Sequence, residues 1–175
     1  MINAIFAIDE EGGLGKGNGL PWANDRSIVE HDLNWFKMQT VDSIVVMGRG
    51  TWDSIDMPKP LPKRVNWVVT SGSIEPALKG AQVWSGDPYE LCLDLERKNP
   101  NKVIWVIGGA KLLMSMVGKF DRMYVSHIFG NFNCDAKVDF ATLSEGYKEI
   151  YNDTNYDLEH IIYAKLPNFV KQDLI

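Results

Sequence analysis

The chain has 175 residues, 45% of them hydrophobic, with a formal net charge of −5 and a pI near 5.2. That length fits one domain with enough apolar surface for a core. No apolar run approaches the ~18 residues of a membrane span, and the scattered Lys and Arg form no basic stripe of the kind nucleic acid requires.

Cys92 and Cys134 have neither a disulfide framework nor zinc-site spacing around them, so free thiols and no metal site are expected. The opening MINAIFAIDE lacks the basic segment and cleavage site of a secretory signal, which makes a cytoplasmic protein the expectation.

In chain order, the first strand is predicted at 2–8 (INAIFAI). The glycine-rich stretch GGLGKGNGLPW at 12–22 follows it. Its spacing is not GxGxxG, and Pro21-Trp22 interrupts the helix that a dinucleotide fingerprint needs. A plain flexible loop and a lid over a pocket both remain open for it.

VEHDLNWFKMQT at 29–40 has helical spacing, which sets Asp32 beside Val29, Trp35 and Phe36 on the edge of an apolar stripe. A carboxylate there is either solvated or buried with a donor partner, and a ligand can be that partner.

Strands at 43–48 and 102–109 each run into a glycine turn and a helix start, MGRGTW (47–52) and VIGGAKL (106–112). Backbone N–H groups at such starts attract phosphate, and Arg49 adds a guanidinium fork. Two such loops on neighbouring strands suggest a dinucleotide lying across their edge.

Between them come MPKPLPKR (57–64), whose prolines hold Arg64 in a stiff loop suited to capturing a carboxylate, a strand at 65–70, and a helix at 88–99. A helix is predicted at 109–120 and a strand at 122–128. From there no further helix is expected before two strand-like segments, YKEIYND and LEHIIYAK, which read as an antiparallel addition. The continuous apolar runs suggest a parallel sheet covered on both faces. His31, His127 and His160 are dispersed and read as structural; no nucleophile triad stands out.

Taken together, INAIFAID, LGKGNGLPW, DLNWFK, VVMGRGTWDSI, PLPKR, VVTS, VIGGAKL and YVSHI, in this order, resemble dihydrofolate reductase. The match runs from residue 2 to about 164. It implies an α/β single domain over 1–165, with a mostly parallel eight-stranded sheet, an antiparallel C-terminal strand and four flanking helices. Residues 166–175 are a tail of unknown role.

The resemblance also implies NADPH as cofactor, dihydrofolate as substrate, antifolates as ligands and a monomeric state. Hydride would pass to C6 of the pterin, and N5 would be protonated through water. Cofactor contacts would fall on Ala7, on Leu14, Gly15, Asn18, Gly19 and Leu20 of the lid, and on Gly48, Arg49, Gly50 and Thr51. Thr70 and Ser71 would add to these, as would the run Ile107, Gly108, Gly109, Ala110, Lys111 and Leu112. Arg49 would lie near the 2′-phosphate, and Gly108-Gly109 matches a glycine pair joined by a cis peptide bond.

For the substrate, Asp32 would pair with the pterin's N3 and 2-amino group and Ser126 would donate to Asp32. Arg64 would bind the glutamate α-carboxylate. Ile5, Phe6, Ala7, Leu33, Phe36, Ile55, Leu61 and Ile107 would line the pocket, and Leu20 and Trp22 would join Asp32 at the reacting centre. Three positions depart from the usual family pattern. Leu113 replaces a tyrosine whose hydroxyl approaches the nicotinamide, Gly50 a frequent adenosine-phosphate contact, and Ser126 a threonine. The alternatives are a pyrimidinone reductase of the same fold, which needs neither Asp32 nor Arg64, and a non-catalytic pterin- or nucleotide-binding protein.

Overall fold

The computed structural model describes residues 1–72 and 78–167. Most of the expected tail, 168–175, lies outside the described residues, although Leu166 still donates its N–H to Gly146 at 2.8 Å. The strands are β1 (Ile2–Ile8), β2 (Gly13–Gly15), β3 (Ile44–Gly48), β4 (Val65–Val69), β5 (Gln82–Trp84), β6 (Ile104–Val106), β7 (Arg122–Ile128), β8 (Ala136–Lys137), β9 (Tyr147–Thr154) and β10 (Leu158–Lys165). The helices are α1 (Arg26–Thr40), α2 (Arg49–Trp52), α3 (Pro88–Lys98), α4 (Ala110–Ser115) and α5 (Phe140–Ser144).

Eight strands form one sheet in the order β5-β4-β3-β6-β1-β7-β10-β9, and β2 pairs with β8 apart from it. The main-sheet pairings are parallel except those of β10, which runs antiparallel to both β7 and β9. The expected sheet is therefore present, with its antiparallel strand one place in from the edge.

The continuous apolar runs have the cause foreseen. Ala4, Phe6, Ile44, Val46, Ile104 and Val106 face α3, α4 and α5, whereas Ile5, Val45, Met47 and Trp105 face Trp35 of α1 and Trp52 of α2. Alternate residues enter two cores, so both faces of the strand must be apolar. Edge strand β9 is exposed and charged, which discourages further pairing.

Capping explains where the helices begin. Asp25 accepts from the Ile28 N–H and starts α1 three residues before the predicted position, a cap worth about 1 kcal/mol. Asp87, followed by Pro88, starts α3 as predicted.

Three expectations need correction. The helix predicted at 109–120 ends at Ser115, and the chain then turns through Gly118 at φ +76, a conformation no α-helix contains. The strand predicted at 102–109 is regular only over 104–106, because Gly108 at φ +117 turns the chain away. A fifth helix, α5, lies in the stretch expected to hold none; Asp139 caps it by accepting from the N–H and hydroxyl of Thr142. One turn is too short to show a helical period.

The chain runs from β1 outward through β3, β4 and β5, then returns to insert β6 between β3 and β1. That reversal opens a crevice at the carboxyl ends of β1, β3 and β6, where ligands of open α/β sheets bind.

Candidate active site

The crevice is a cleft of about 1240 Å³. This exceeds the roughly 300–1,000 Å³ of an ordinary small-molecule pocket and leaves room for a dinucleotide beside a second ring system. Its floor is the carboxyl ends of the strands, with Ala7, Gly48, Val69 and Ile107 lining it.

One wall is α1, which presents Asp32, Leu33, Phe36 and Lys37. Asp32 is half-buried. Desolvation pushes its carboxyl up to about 6, against a hydrogen bond from Ser126 that favours the ionised form. Of these two opposing effects burial is the larger. Ser126 is 1% exposed and lies behind Asp32, away from the cleft lining.

The opposite side is built from the two glycine turns. Helices α1, α3 and α5 begin at aspartate caps, whereas α2 and α4 begin at Gly48 and Gly109 with no side-chain cap. Gly48 donates its N–H to the Gly108 carbonyl at 2.8 Å, which ties the two turns together. The Gly108-Gly109 peptide is cis. Arg49, Gly50, Thr51, Thr70, Ser71 and Lys111 surround these starts in the lining. Cations, hydroxyls and open N–H groups without a nearby aspartate cap make a donor set suited to phosphate. The Arg49 Nε is held by both Asp53 oxygens, at 3.2 and 3.0 Å. The pair is about half exposed and of little stabilising value, so a phosphate can compete for the guanidinium.

Arg64 stands at the outer end. Its Nε donates to the Thr40 hydroxyl at 3.0 Å, its Nη1 to the Pro62 carbonyl at 2.6 Å, and the guanidinium lies over the Phe36 ring. These contacts fix its plane. Over the cleft runs the 12–22 stretch, no longer a featureless loop: β2 pairs with β8, and Lys16 and Gly19 form a tight bridge. It is strapped to the α2 side by three bonds. The Leu20 N–H donates to Asp56 at 2.6 Å, the Asn18 amide to the Asp53 carbonyl at 3.0 Å, and the Ile55 N–H to the Asn18 carbonyl at 3.0 Å. Trp22, at the end of the stretch, is 1% exposed, with its indole N–H buried and unpartnered among the described residues.

The family model for dihydrofolate reductase matches residues 1–165. The chain belongs to the dihydrofolate reductase family. It is 33% identical to the dihydrofolate reductase of Bacillus subtilis over 94% of this chain and 95% of that one, and 34% identical to the enzyme of Bos taurus over 79% and 80%. These relationships make it an oxidoreductase. A solved dihydrofolate reductase from Enterococcus faecalis, in complex with NADP(H) and RAB-propyl, shares the fold with a TM-score of 0.74. It is 22% identical and covers 94% of this chain and 96% of that one.

Most residues that the family resemblance singled out converge on the cleft. Ile55 does not: it is 77% exposed and outside the lining, where Met57 and Pro58 stand. Gly108 backs the turn and does not line the cleft. Leu113 points into the core and is fully buried, so it packs and does not line the cleft. Sequence reasoning missed Lys37, Asp56, Ser85, Gly86 and Ala136. Lys37 lies one turn beyond Leu33 and was legible from helical spacing; the others are brought in by loops and by β8, for which no periodic signal exists.

Proposed function

We propose that the chain reduces 7,8-dihydrofolate to 5,6,7,8-tetrahydrofolate with NADPH, and that Asp32 anchors and polarises the pterin. The observation that carries this reading is the placement of one desolvated carboxyl on the apolar wall, facing two uncapped glycine turns. NADPH, when bound, supplies the hydride that C6 of the substrate accepts. The fit of its pyrophosphate and 2′-phosphate is supported by Arg49, Thr51, Thr70, Ser71 and Lys111, and the E. faecalis relative was solved with NADP(H).

Above about pH 6 Asp32 is mostly ionised, and its oxygens accept from the N3 and 2-amino donors of the pterin. This fixes the ring's orientation against the floor residues Ile5, Ala7 and Ile107. Arg64, held by Thr40 and Pro62, takes the α-carboxylate of the glutamate tail. A pyrimidinone reductase has no use for this pair, which favours dihydrofolate. Leu20 and Trp22 close the reacting end and limit water there.

N5 still needs a proton. Asp56, the other carboxyl of the lining among the described residues, is engaged by the Leu20 N–H. Protonation therefore runs through a water at the lid, with the Trp22 N–H as an available donor to it and Asp32 raising the basicity of the ring. The functional unit is residues 1–165, acting as a cytoplasmic monomer with antifolates as competitors. Purified full-length chain mixed with NADPH and dihydrofolate should oxidise the cofactor and stop on addition of methotrexate. Absence of antifolate-sensitive oxidation would overturn the reading.

A further inference from the structure

Behind Asp32, on the side away from the cleft, lies a contact that the reaction as described does not use. The Ser126 Oγ on β7 is 3.0 Å from Nδ1 of His160 on β10, and the two residues are in direct register across the antiparallel pair. The same hydroxyl hydrogen-bonds Asp32. His160 is only 6% exposed and stacks on Trp35, with ring centroids 4.3 Å apart and planes 13° from parallel. Trp35 follows Asp32 by three residues on α1, so one helix turn both presents the carboxylate and clamps the imidazole.

A serine hydroxyl carries one proton. An ionised carboxylate can only accept, so the Ser126 O–H serves Asp32 and its oxygen accepts from His160. That arrangement requires the proton of the imidazole on Nδ1. The opposite tautomer would draw the serine proton to His160 and leave Asp32 without its buried donor. We propose that His160 is a positioning residue for the reduction: its Nδ1–H orients and polarises the Ser126 hydroxyl toward Asp32 and so tunes the basicity of the carboxylate that holds the substrate. The inference rests on the function proposed above for Asp32.

The charges that bear on this row are few. Asp153 of β9, paired opposite His160, favours the imidazolium, and His31 of α1 opposes it. Burial, aided by His31, outweighs Asp153 and holds His160 down at about 4. It is therefore neutral at the pH where Asp32 is ionised, and hydrogen bonds decide its tautomer. On the cleft side Asp32 shares the lining with Lys37 of α1 and Arg64 of the proline loop.

The test combines a pH profile with a tautomer measurement. His160→Phe keeps a ring against Trp35 and deletes the donor, whereas His160→Asn offers an amide N–H near the place of Nδ1. In His160→Phe the apparent pKa of dihydrofolate turnover should rise by about half a unit, with the KM for NADPH unchanged, and His160→Asn should recover most of the shift. In a Ser126→Ala background His160→Phe should move the profile no further.

A purely structural histidine would instead lower activity equally at every pH and in both backgrounds. That result, or an unmoved profile, overturns the proposal. Nitrogen NMR of the His160 ring in unmutated protein, free of substrate, should find Nδ1 protonated and Nε2 bare, and an Nε2–H tautomer contradicts the mechanism directly. Failure of the wild-type chain to reduce dihydrofolate would refute the proposed function instead, and the ring spectrum would still decide the geometry.

Discussion

Asp9 and Asp32 both stand near the ends of the sheet, and their environments differ in a way that separates structure from function. Asp9 is the more hidden, at 3% exposed. Burial alone would push its carboxyl up, yet it is held below the usual range, because the backbone N–H groups of Phe132, Gly13 and Glu11 and the Cys134 thiol all donate to it. Asp32 receives one hydroxyl, which does not offset its desolvation, and is pushed up to about 6. The balance of donors against desolvation decides which carboxylate is content. Asp9 clasps the start of β2 to the chain beyond β7, and its needs are met within the protein. Under the proposed function, those of Asp32 are left for a ligand to meet.

The contrast is most severely tested by Asp32→Asn. Turnover should fall about a hundredfold or more, and most at high pH, where little substrate arrives already protonated at N5. The same variant should be more stable than the parent without ligand. A carboxyl moved from 3.8 to about 6 costs about 3 kcal/mol when ionised at neutral pH. The sign follows from linkage: the contribution of Asp32 to stability is present below about 3.8 and is lost as pH rises through about 6. Thermal unfolding at pH 5 and 8 checks it, since the two proteins should differ far more at pH 8.

Asp9→Asn should do the reverse. It should lower stability by about 3 kcal/mol, since an amide faces donors that need an acceptor, and leave the ligand affinities of the folded fraction near the parent's. The contribution of Asp9 is present above its ordinary value and is lost as pH falls through its depressed one, so acid denaturation curves distinguish the two aspartates.

Arg64→Ala should weaken dihydrofolate binding by about 2 kcal/mol, or some thirtyfold, without changing NADPH affinity; equal losses for both ligands would point to misfolding. The smallest effect is expected at the lid. Asp56→Ala removes the acceptor of one backbone N–H, worth about 1 kcal/mol, and should change KM or kcat only a few-fold in steady-state assays.

The same comparison shows what could be read before folding. Asp32 was legible because it lies in a periodic helix among Val29, Trp35 and Phe36, and because the glycine turns opposite it punctuate apolar strands. Asp9 was not singled out, since its donors come from residues 11 and 13 on one side and 132 and 134 on the other, a closure that no local pattern announces. His160 escaped for a related reason: its partner Ser126 is 34 residues away and reached only through strand register. Ile55 failed in the opposite sense. The family resemblance made it a pocket candidate, but in the turn that offers Asp56 to the lid Ile55 is exposed to solvent. The parallel sheet was plain from its apolar runs, whereas β2, β8 and α5 are too short to show a period and rest on tertiary contacts.

The central claim is that Asp32 is a carboxylate whose partners the ligand must supply. Carbon NMR of aspartate side chains, assigned with Asp32→Asn and followed against pH with and without methotrexate, tests it directly. In the free protein the Asp32 carboxyl should titrate near 6, while Asp9 stays ionised to below its ordinary range. Once methotrexate fills the cleft, the donors on its ring should hold Asp32 ionised and abolish that titration. An Asp32 that titrates at an ordinary value in the free protein, or that titrates unchanged with the antifolate bound, would contradict the account.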